Sequence, residues 1–148
     1  MQKIFCSVVL ALAVFGMAMS GVEAHVRVSP AEAKPGSTQV YMVTIPSEVK
    51  VATSRTELVL PAGVALVSVD PEGNPFEVQH PKDGTTVIIW RTEIAPGWAK
   101  MFHFTVTNPT AASEIAWKAH QYFADGSVAD WVDGPGSKRP ASVTKLSP

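Results

Sequence analysis

Short segments in which hydrophobic and polar residues alternate make up most of this chain, and Pro, Gly or Asp residues separate them. Lys100 to Thr107 alternates in this way, and Glu114 to Phe123 is the longest segment. Thr85 to Arg91 has an apolar centre, which is typical of a buried strand. Pro61-Ala62-Gly63 and Asp125-Gly126 mark turns between segments. No useful length of chain has the period of a helix, so the pattern predicts strands.

We predict an all-β domain of eight or nine strands, with about ten residues between successive strands. The predicted strands are His25 to Val28, Thr38 to Ile45, Thr56 to Leu60, Val64 to Val69, Phe76 to Gln79, Thr85 to Arg91, Lys100 to Thr107, Glu114 to Phe123 and Ser127 to Val132. Regular spacing with turn signals is the signature of an antiparallel β-sandwich. A closed β-barrel is the alternative. We find neither an internal repeat nor a second domain.

The start of the chain has the pattern of a cleaved secretory signal. A short basic segment precedes an apolar run from Ile4 to Met19, and Val22 and Ala24 are the small residues of a cleavage site. The apolar run is short for a membrane-spanning helix. We therefore predict a signal peptide over 1–24 that is removed after Ala24.

The remaining chain is predicted to be a sandwich domain over 25–134, followed by a flexible tail over 135–148 that is rich in Pro, Gly and Ser. Cys6 is the single cysteine and would leave with the leader, which excludes a disulfide framework. No second apolar run is long enough to anchor the chain in a membrane. We expect a soluble product that is periplasmic or secreted. With 12 basic and 13 acidic residues, the charge balance argues against binding to nucleic acid.

Cleavage would expose His25 as the first residue, and this position has specific chemistry. The α-amine and Nδ1 of the same histidine can close a six-membered chelate ring on one metal ion. Divalent copper prefers nitrogen and oxygen ligands in a square arrangement. The amine has a pKa of about 8, so a strongly bound ion can displace its proton at neutral pH. The alternative is that His25 is an exposed terminus without a role.

Glu48 and Trp131 are weaker candidates from their sequence context alone. Glu48 follows Pro46, which ends a predicted strand and places the carboxylate on a loop, where it could bind a cation or pair with Lys50. Trp131 lies on the last predicted strand of the sandwich domain and could either cover a metal or belong to the core.

Other residues that could carry chemistry lack a motif. We expect His80, His103 and His120 at the surface, Trp90 and Trp117 in the core, and Trp98 in an exposed loop. The sequence contains no nucleophile elbow, phosphate loop or dinucleotide fingerprint, and no carboxylate pair stands out as catalytic. The lack of thiols and of a Met-rich segment argues against a carrier of monovalent copper.

Four segments in order resemble the YcnI-like family of exported copper-binding domains. They are H-V-R-V-S-P at 25–30, the run that begins Y-M-V-T-I-P-S-E-V-K at 41–50, P-G-W at 96–98 and Q-Y-F-A-D-G-S-V-A-D-W at 121–131. The resemblance implies a fibronectin- or cohesin-like sandwich that binds one Cu(II) per chain in a monohistidine brace. It implies that His25 supplies its amine and ring nitrogen, that Glu48 supplies carboxylate oxygen, and that Trp131 packs over the metal.

The chain departs from the family pattern in two places. We expect a Pro in or near Val51-Ala52-Thr53, and none is present there. Many members carry a C-terminal membrane anchor, and we expect none in this protein. The family resemblance implies copper trafficking or homeostasis rather than catalysis, with a periplasmic copper chaperone or a copper importer as partner. Two alternatives remain open. One is an adhesion or scaffolding module that uses Trp98 without metal, and the other is a copper-dependent oxidase.

Overall fold

Two β-sheets pack face to face in the computed structural model of the chain, which describes residues 24–48 and 50–148. Apart from Ala24, the predicted signal peptide lies outside the described residues. The described residues form eleven strands, which are β1 (Arg27–Ser29), β2 (Glu32–Ala33), β3 (Thr38–Pro46), β4 (Thr53–Leu60), β5 (Ala65–Val69), β6 (Phe76–Gln79), β7 (Thr86–Trp90), β8 (Ala99–Thr107), β9 (Glu114–Phe123), β10 (Val128–Trp131) and β11 (Ser142–Leu146). The predicted all-β sandwich is confirmed.

The first sheet has the strand order β1-β3-β8-β5, and all its neighbours are antiparallel. The second sheet has the order β2-β11-β9-β4-β7-β6, with β10 also paired to β9. One edge of β9 is shared between two partners. Residues 114–117 pair with β11, and residues 119–122 pair with β10. The short pairing of β11 with β2 is the parallel contact in this sheet.

The core lies between the two sheets and is rich in aromatic side chains. Trp90 of the second sheet stacks on Phe102 of the first, with 4.5 Å between ring centroids. Tyr41 also packs against Trp117 across the sandwich, with 4.9 Å between ring centroids and the ring planes tilted by 57°. Trp90 and Trp117 are both fully buried, as the sequence predicted. Burial raises the pKa of Tyr41, although its hydroxyl donates a hydrogen bond of 2.8 Å to Asn108 Oδ1.

The predicted boundaries fail at the C-terminal end. The segment 135–148 was expected to be a flexible tail, but its residues 142–146 form β11 and pair with β9. Thr144 and Leu146 are buried, and Thr144 accepts a hydrogen bond of 3.0 Å from the indole of Trp117. The strand was missed because its alternation is only five residues long and the preceding residues are rich in Pro, Gly and Ser. The sandwich therefore extends beyond residue 134.

Candidate metal centre

His25 lies where the chain enters the sandwich, directly before β1. Val26 and Val28 are buried in the core and anchor this segment, whereas the His25 side chain is half-buried. Its imidazole packs against the indole of Trp131, with 5.7 Å between ring centroids and 56° between ring planes. Among the described residues, none makes a hydrogen bond to the His25 ring that would occupy its nitrogen atoms.

Trp131 lies on the core side of its contact with His25. It ends β10, and its side chain is only 2% exposed, so the tryptophan is part of the core and also touches His25. The indole Nε1 donates a hydrogen bond of 3.1 Å to Gln121 Oε1. The guanidinium carbon of Arg139 lies 5.9 Å from the centre of the Trp131 ring. The indole is therefore held by packing, by a hydrogen bond and by a neighbouring cation.

Gln121 connects Trp131 to the strand that leads to Glu48. Its Nε2 donates hydrogen bonds of 2.7 Å to Pro46 O and of 2.7 Å to Thr53 Oγ1. An indole N–H can only donate and a backbone carbonyl can only accept, so these neighbours allow one orientation of the carboxamide. Gln121 is not among the residues that the sequence pattern singles out. The available signal was a polar residue at an inward position of β9, between the buried Ala119 and Phe123.

The turn that carries Glu48 is fixed through its backbone. Ser47 N donates a hydrogen bond of 2.7 Å to Trp98 O, and Gly97 N donates one of 2.9 Å to Glu48 O. The Glu48 side chain is exposed. In the described part of the chain no residue makes a hydrogen bond or ion pair with its carboxylate, and the pairing with Lys50 is not observed.

The strand register brings the start of β1 to the end of β3. Arg27 pairs with Thr44 and Val28 with Val43, and continuing this antiparallel register places residue 25 level with Pro46. Pro46 comes two residues before Glu48. Thus His25 and Trp131 are in contact, and the Glu48 turn is connected to Trp131 through Gln121. A direct contact of the Glu48 side chain with either ring is not observed among the described residues.

This arrangement suits a metal bound by nitrogen and oxygen. The imidazole and the carboxylate are both uncommitted, and neither donor is soft. Within residues 24–48 and 50–148, no group of three or more His, Cys, Asp or Glu side chains is placed to hold a metal ion. A site built from these residues therefore requires a further donor, such as the α-amine that cleavage after Ala24 would create.

Two of the other three histidines are paired with carboxylates. His120 Nδ1 lies 2.6 Å from Asp130 Oδ1, and His103 Nδ1 lies 3.0 Å from Glu72 Oε1. His80 is exposed. Trp98 is 72% exposed, as expected for the predicted loop, and its backbone carbonyl holds Ser47 beside the Glu48 turn.

Residues 25–146 match the family model described as "Domain of unknown function (DUF1775)". The chain belongs to the DUF1775 family. A DUF1775 relative, the copper-binding protein CutI of Bacillus subtilis (strain 168), is 33% identical over 128 residues. The alignment covers 84% of this chain and 63% of CutI, so the chain spans less than two thirds of the length of that relative. The resemblance to the YcnI-like copper-binding family is confirmed.

Solved structures support the fold. An uncharacterised protein from Nocardia farcinica with an immunoglobulin-like fold matches with a TM-score of 0.72 and 20% identity, over 84% of this chain and 99% of that chain. A cohesin module from a Clostridium perfringens family 33 glycoside hydrolase matches with a TM-score of 0.56 and 12% identity, over 82% and 95%. At these identities the matches concern the fold alone. Among the described residues, we find no helix of the length and apolarity that crossing a membrane requires.

Proposed function

We propose that this DUF1775 chain is exported, loses residues 1–24, and binds one Cu(II) through His25 and Glu48 beside Trp131. The observation that carries the proposal is the packing of the His25 imidazole against Trp131, with no hydrogen bond to the ring nitrogens among the described residues. The name of the relative CutI supports copper as the ion. Copper is the cargo of such a protein, and its function is trafficking or homeostasis.

The ligand set follows from the chemistry of a terminal histidine. Cleavage converts the amide nitrogen of His25 into an amine, which binds copper together with Nδ1 of the same residue. The carboxylate of Glu48 adds an oxygen ligand and one negative charge. Copper heads the affinity order of first-row divalent ions for such donors, so two nitrogens and a carboxylate favour Cu(II) over its competitors.

Trp131 covers the site from the core side. Its indole is buried and fixed by Gln121, so it gives the His25 ring a rigid apolar surface to rest on. A large rigid ring excludes water from one side of the ion. A covered ion with one histidine side chain has less room for a substrate, so we favour transport of copper over oxidase activity. The donor or acceptor of copper would be a periplasmic chaperone or a copper importer.

An adhesion module is the candidate function from another class. Trp98 supports it, since a tryptophan that is 72% exposed is a common contact residue at protein interfaces. In that case Trp98→Ala would abolish partner binding and copper would have no effect. The position of Trp98 next to the Glu48 turn is equally compatible with docking of a copper-donating partner.

The deciding experiment is electron paramagnetic resonance of the exported chain with one equivalent of Cu(II), after mass spectrometry has identified its first residue. We expect a single tetragonal signal with splitting from two nitrogens. A variant with Met inserted between Ala24 and His25 should lose this signal once Ala24 is removed, because the His25 amine becomes an amide. A chain with Met added after Pro148 is the matched control. A heterogeneous signal in the exported chain, or an unchanged signal in the Met-inserted variant, would refute the brace.

A further inference from the structure

A second group of metal-binding side chains lies on the outer face of the first sheet. Met42 on β3 and Met101 on β8 are the methionines of the described part of the chain. In the antiparallel pairing of these strands, Met42 stands directly opposite His103, and Met101 stands opposite Thr44. The neighbouring residues Val43 and Phe102 are fully buried or nearly so, which puts Met42, Met101 and His103 together on the face away from the core.

The spacing on this face allows the three side chains to converge. Directly opposite residues in an antiparallel pair have Cβ atoms about 5 Å apart, and diagonal neighbours are about 7–8 Å apart. Met101 and His103 are two positions apart on one strand, which is about 6.6 Å. Methionine has three rotatable bonds and a polarisable thioether, so both sulfur atoms can reach an ion near His103.

His103 is oriented by a carboxylate on its other nitrogen. Its Nδ1 lies 3.0 Å from Oε1 and 3.1 Å from Oε2 of Glu72. An ionised carboxylate can only accept, so Nδ1 carries the hydrogen and the lone pair of the neutral ring is on Nε2. Histidines that bind metals usually donate their second N–H to a carboxylate in this manner.

The backbone at Glu72 is unusual as well. Among the described residues other than glycine, only Glu72 has a positive φ, of 40°. Its amide donates a hydrogen bond of 3.2 Å to Asp70 Oδ1, and Asp70 N donates one of 3.0 Å to His103 O. The turn after β5 is therefore tied to β8 at the residue that Glu72 contacts.

These side chains are accessible from solvent. Met101 is 53% exposed, and the side chain of His103 is 35% exposed. Residues of this kind usually form a partly apolar sheet surface, and the exposed Val40 on the same face is consistent with that interpretation. That interpretation does not explain why two methionines lie beside a histidine whose ring is oriented by a carboxylate. Soft thioether ligands select Cu(I) over divalent first-row ions.

We propose that Met42, Met101 and His103 form a binding site for monovalent copper, with two thioether sulfurs and His103 Nε2 as ligands and Glu72 as the positioning residue. The site is separate from the proposed Cu(II) site and does not depend on His25 or on cleavage of the leader. Its ligands come from strands far apart in the sequence, which explains why no Met-rich motif is visible.

Titration with Ag(I), a redox-stable substitute for Cu(I), tests the site. The exported chain carries Cys6→Ser in all samples, so that no thiol competes whether or not the leader is removed. Isotope-labelled methionine methyl groups are followed by nuclear magnetic resonance and assigned with Met42→Leu and Met101→Leu. We expect the methyl signals of Met42 and Met101 and the ring signals of His103 to shift together and to saturate at one equivalent.

Substitutions at these positions distinguish one shared metal site from two methionines that bind Ag(I) independently. Met42→Leu, Met101→Leu and His103→Phe should each weaken Ag(I) binding by about tenfold or more, and Glu72→Gln should weaken it by a smaller factor. Val40→Leu, on the same face, is the matched control and should bind as the parent does. Met→Leu nearly conserves volume, and circular dichroism would verify the fold. Independent shifts of the two methionines, or unchanged affinity in His103→Phe, would overturn the proposal.

Discussion

The carboxamide of Gln121 connects the two parts of the proposed copper site, which are the His25–Trp131 contact and the strand that leads to Glu48. It accepts a hydrogen bond from Trp131 Nε1 and donates to Pro46 O and Thr53 Oγ1. The bonds to Trp131 and Thr53 are buried, and the bond to Pro46 is partly buried. A buried polar group that loses its partner costs about 1–3 kcal/mol. Gln121 therefore stabilises the fold and fixes the indole on which His25 rests.

The first prediction concerns Gln121→Met, which keeps the length of the side chain and removes its polar atoms. We expect the free energy of unfolding to fall by about 1–3 kcal/mol, because Trp131 Nε1 is left unpaired. Cu(II) affinity should fall several-fold, with a changed paramagnetic resonance spectrum. Urea unfolding and a chelator competition measure the two effects. Gln39→Met, near the surface, is the control, and native Cu(II) binding in Gln121→Met would mean that the orientation of the indole is irrelevant.

The second prediction concerns the charge of Glu48. Glu48→Gln retains an oxygen but removes the charge, and two opposite unit charges about 4 Å apart attract by about 4 kcal/mol even at an effective dielectric constant of about 20. We expect Cu(II) affinity to fall by about tenfold or more. Stability should hardly change, because the side chain is exposed. Glu93→Gln is a matched exposed control. Equal affinity of the two variants would point to a different oxygen ligand.

The hairpin that joins β9 to β10 positions both Gln121 and Trp131. Its turn is closed by Asp125, whose Oδ1 accepts hydrogen bonds from Ser127 Oγ at 2.6 Å and from Ser127 N at 2.9 Å. These bonds hold the pKa of Asp125 below its usual value. Asp83 makes the same pattern of bonds to Thr85 in another turn, and the pKa of Asp83 is lowered for the same reason.

The third prediction follows from these lowered pKa values. A carboxyl group whose pKa is lower in the folded state stabilises the fold above its unfolded pKa of about 3.9, and this contribution is lost as the pH falls through the folded value. Asp125→Ala and Asp83→Ala should each lower the urea midpoint at neutral pH, and the difference from the parent chain should shrink in acid. Only Asp125→Ala should also reduce Cu(II) affinity at neutral pH. A pH-independent difference would contradict the electrostatic origin.

The elements also determine how much the sequence could predict. Alternation identified the strands that form the centres of both sheets, because those segments are long and apolar on one face. It could not identify β11, since burial of Thr144 and Leu146 depends on the free edge of β9 and not on local pattern. The role of Gln121 could not be predicted for a similar reason, because two of its partners, Pro46 and Thr53, lie 75 and 68 residues away in the sequence. The family resemblance, rather than spacing, selected Glu48 and Trp131.

The two proposed copper sites of the molecule differ in the softness of their ligands. His25 and Glu48 offer nitrogen and oxygen, whereas Met42 and Met101 offer sulfur. Met42 lies at the centre of β3, four positions before Pro46 and about 13 Å from it along the strand, so the two proposed sites occupy different places on the same strand. A change of copper oxidation state would then decide which of the two sites holds the ion.

The difference in ligand softness can be tested by reducing the copper-loaded chain with ascorbate and measuring the copper that it retains after dialysis without oxygen. The copper-loaded parent chain should retain copper after reduction, because the thioethers accept Cu(I) as the nitrogen and oxygen site loses it. The double variant Met42→Leu/Met101→Leu should bind Cu(II) normally and release the copper once it is reduced. Release from both chains would refute the thioether site and leave the His25 site intact. Retention by both would mean that His25 and Glu48 hold Cu(I) as well, which contradicts the expectation that a site without sulfur ligands loses the reduced ion.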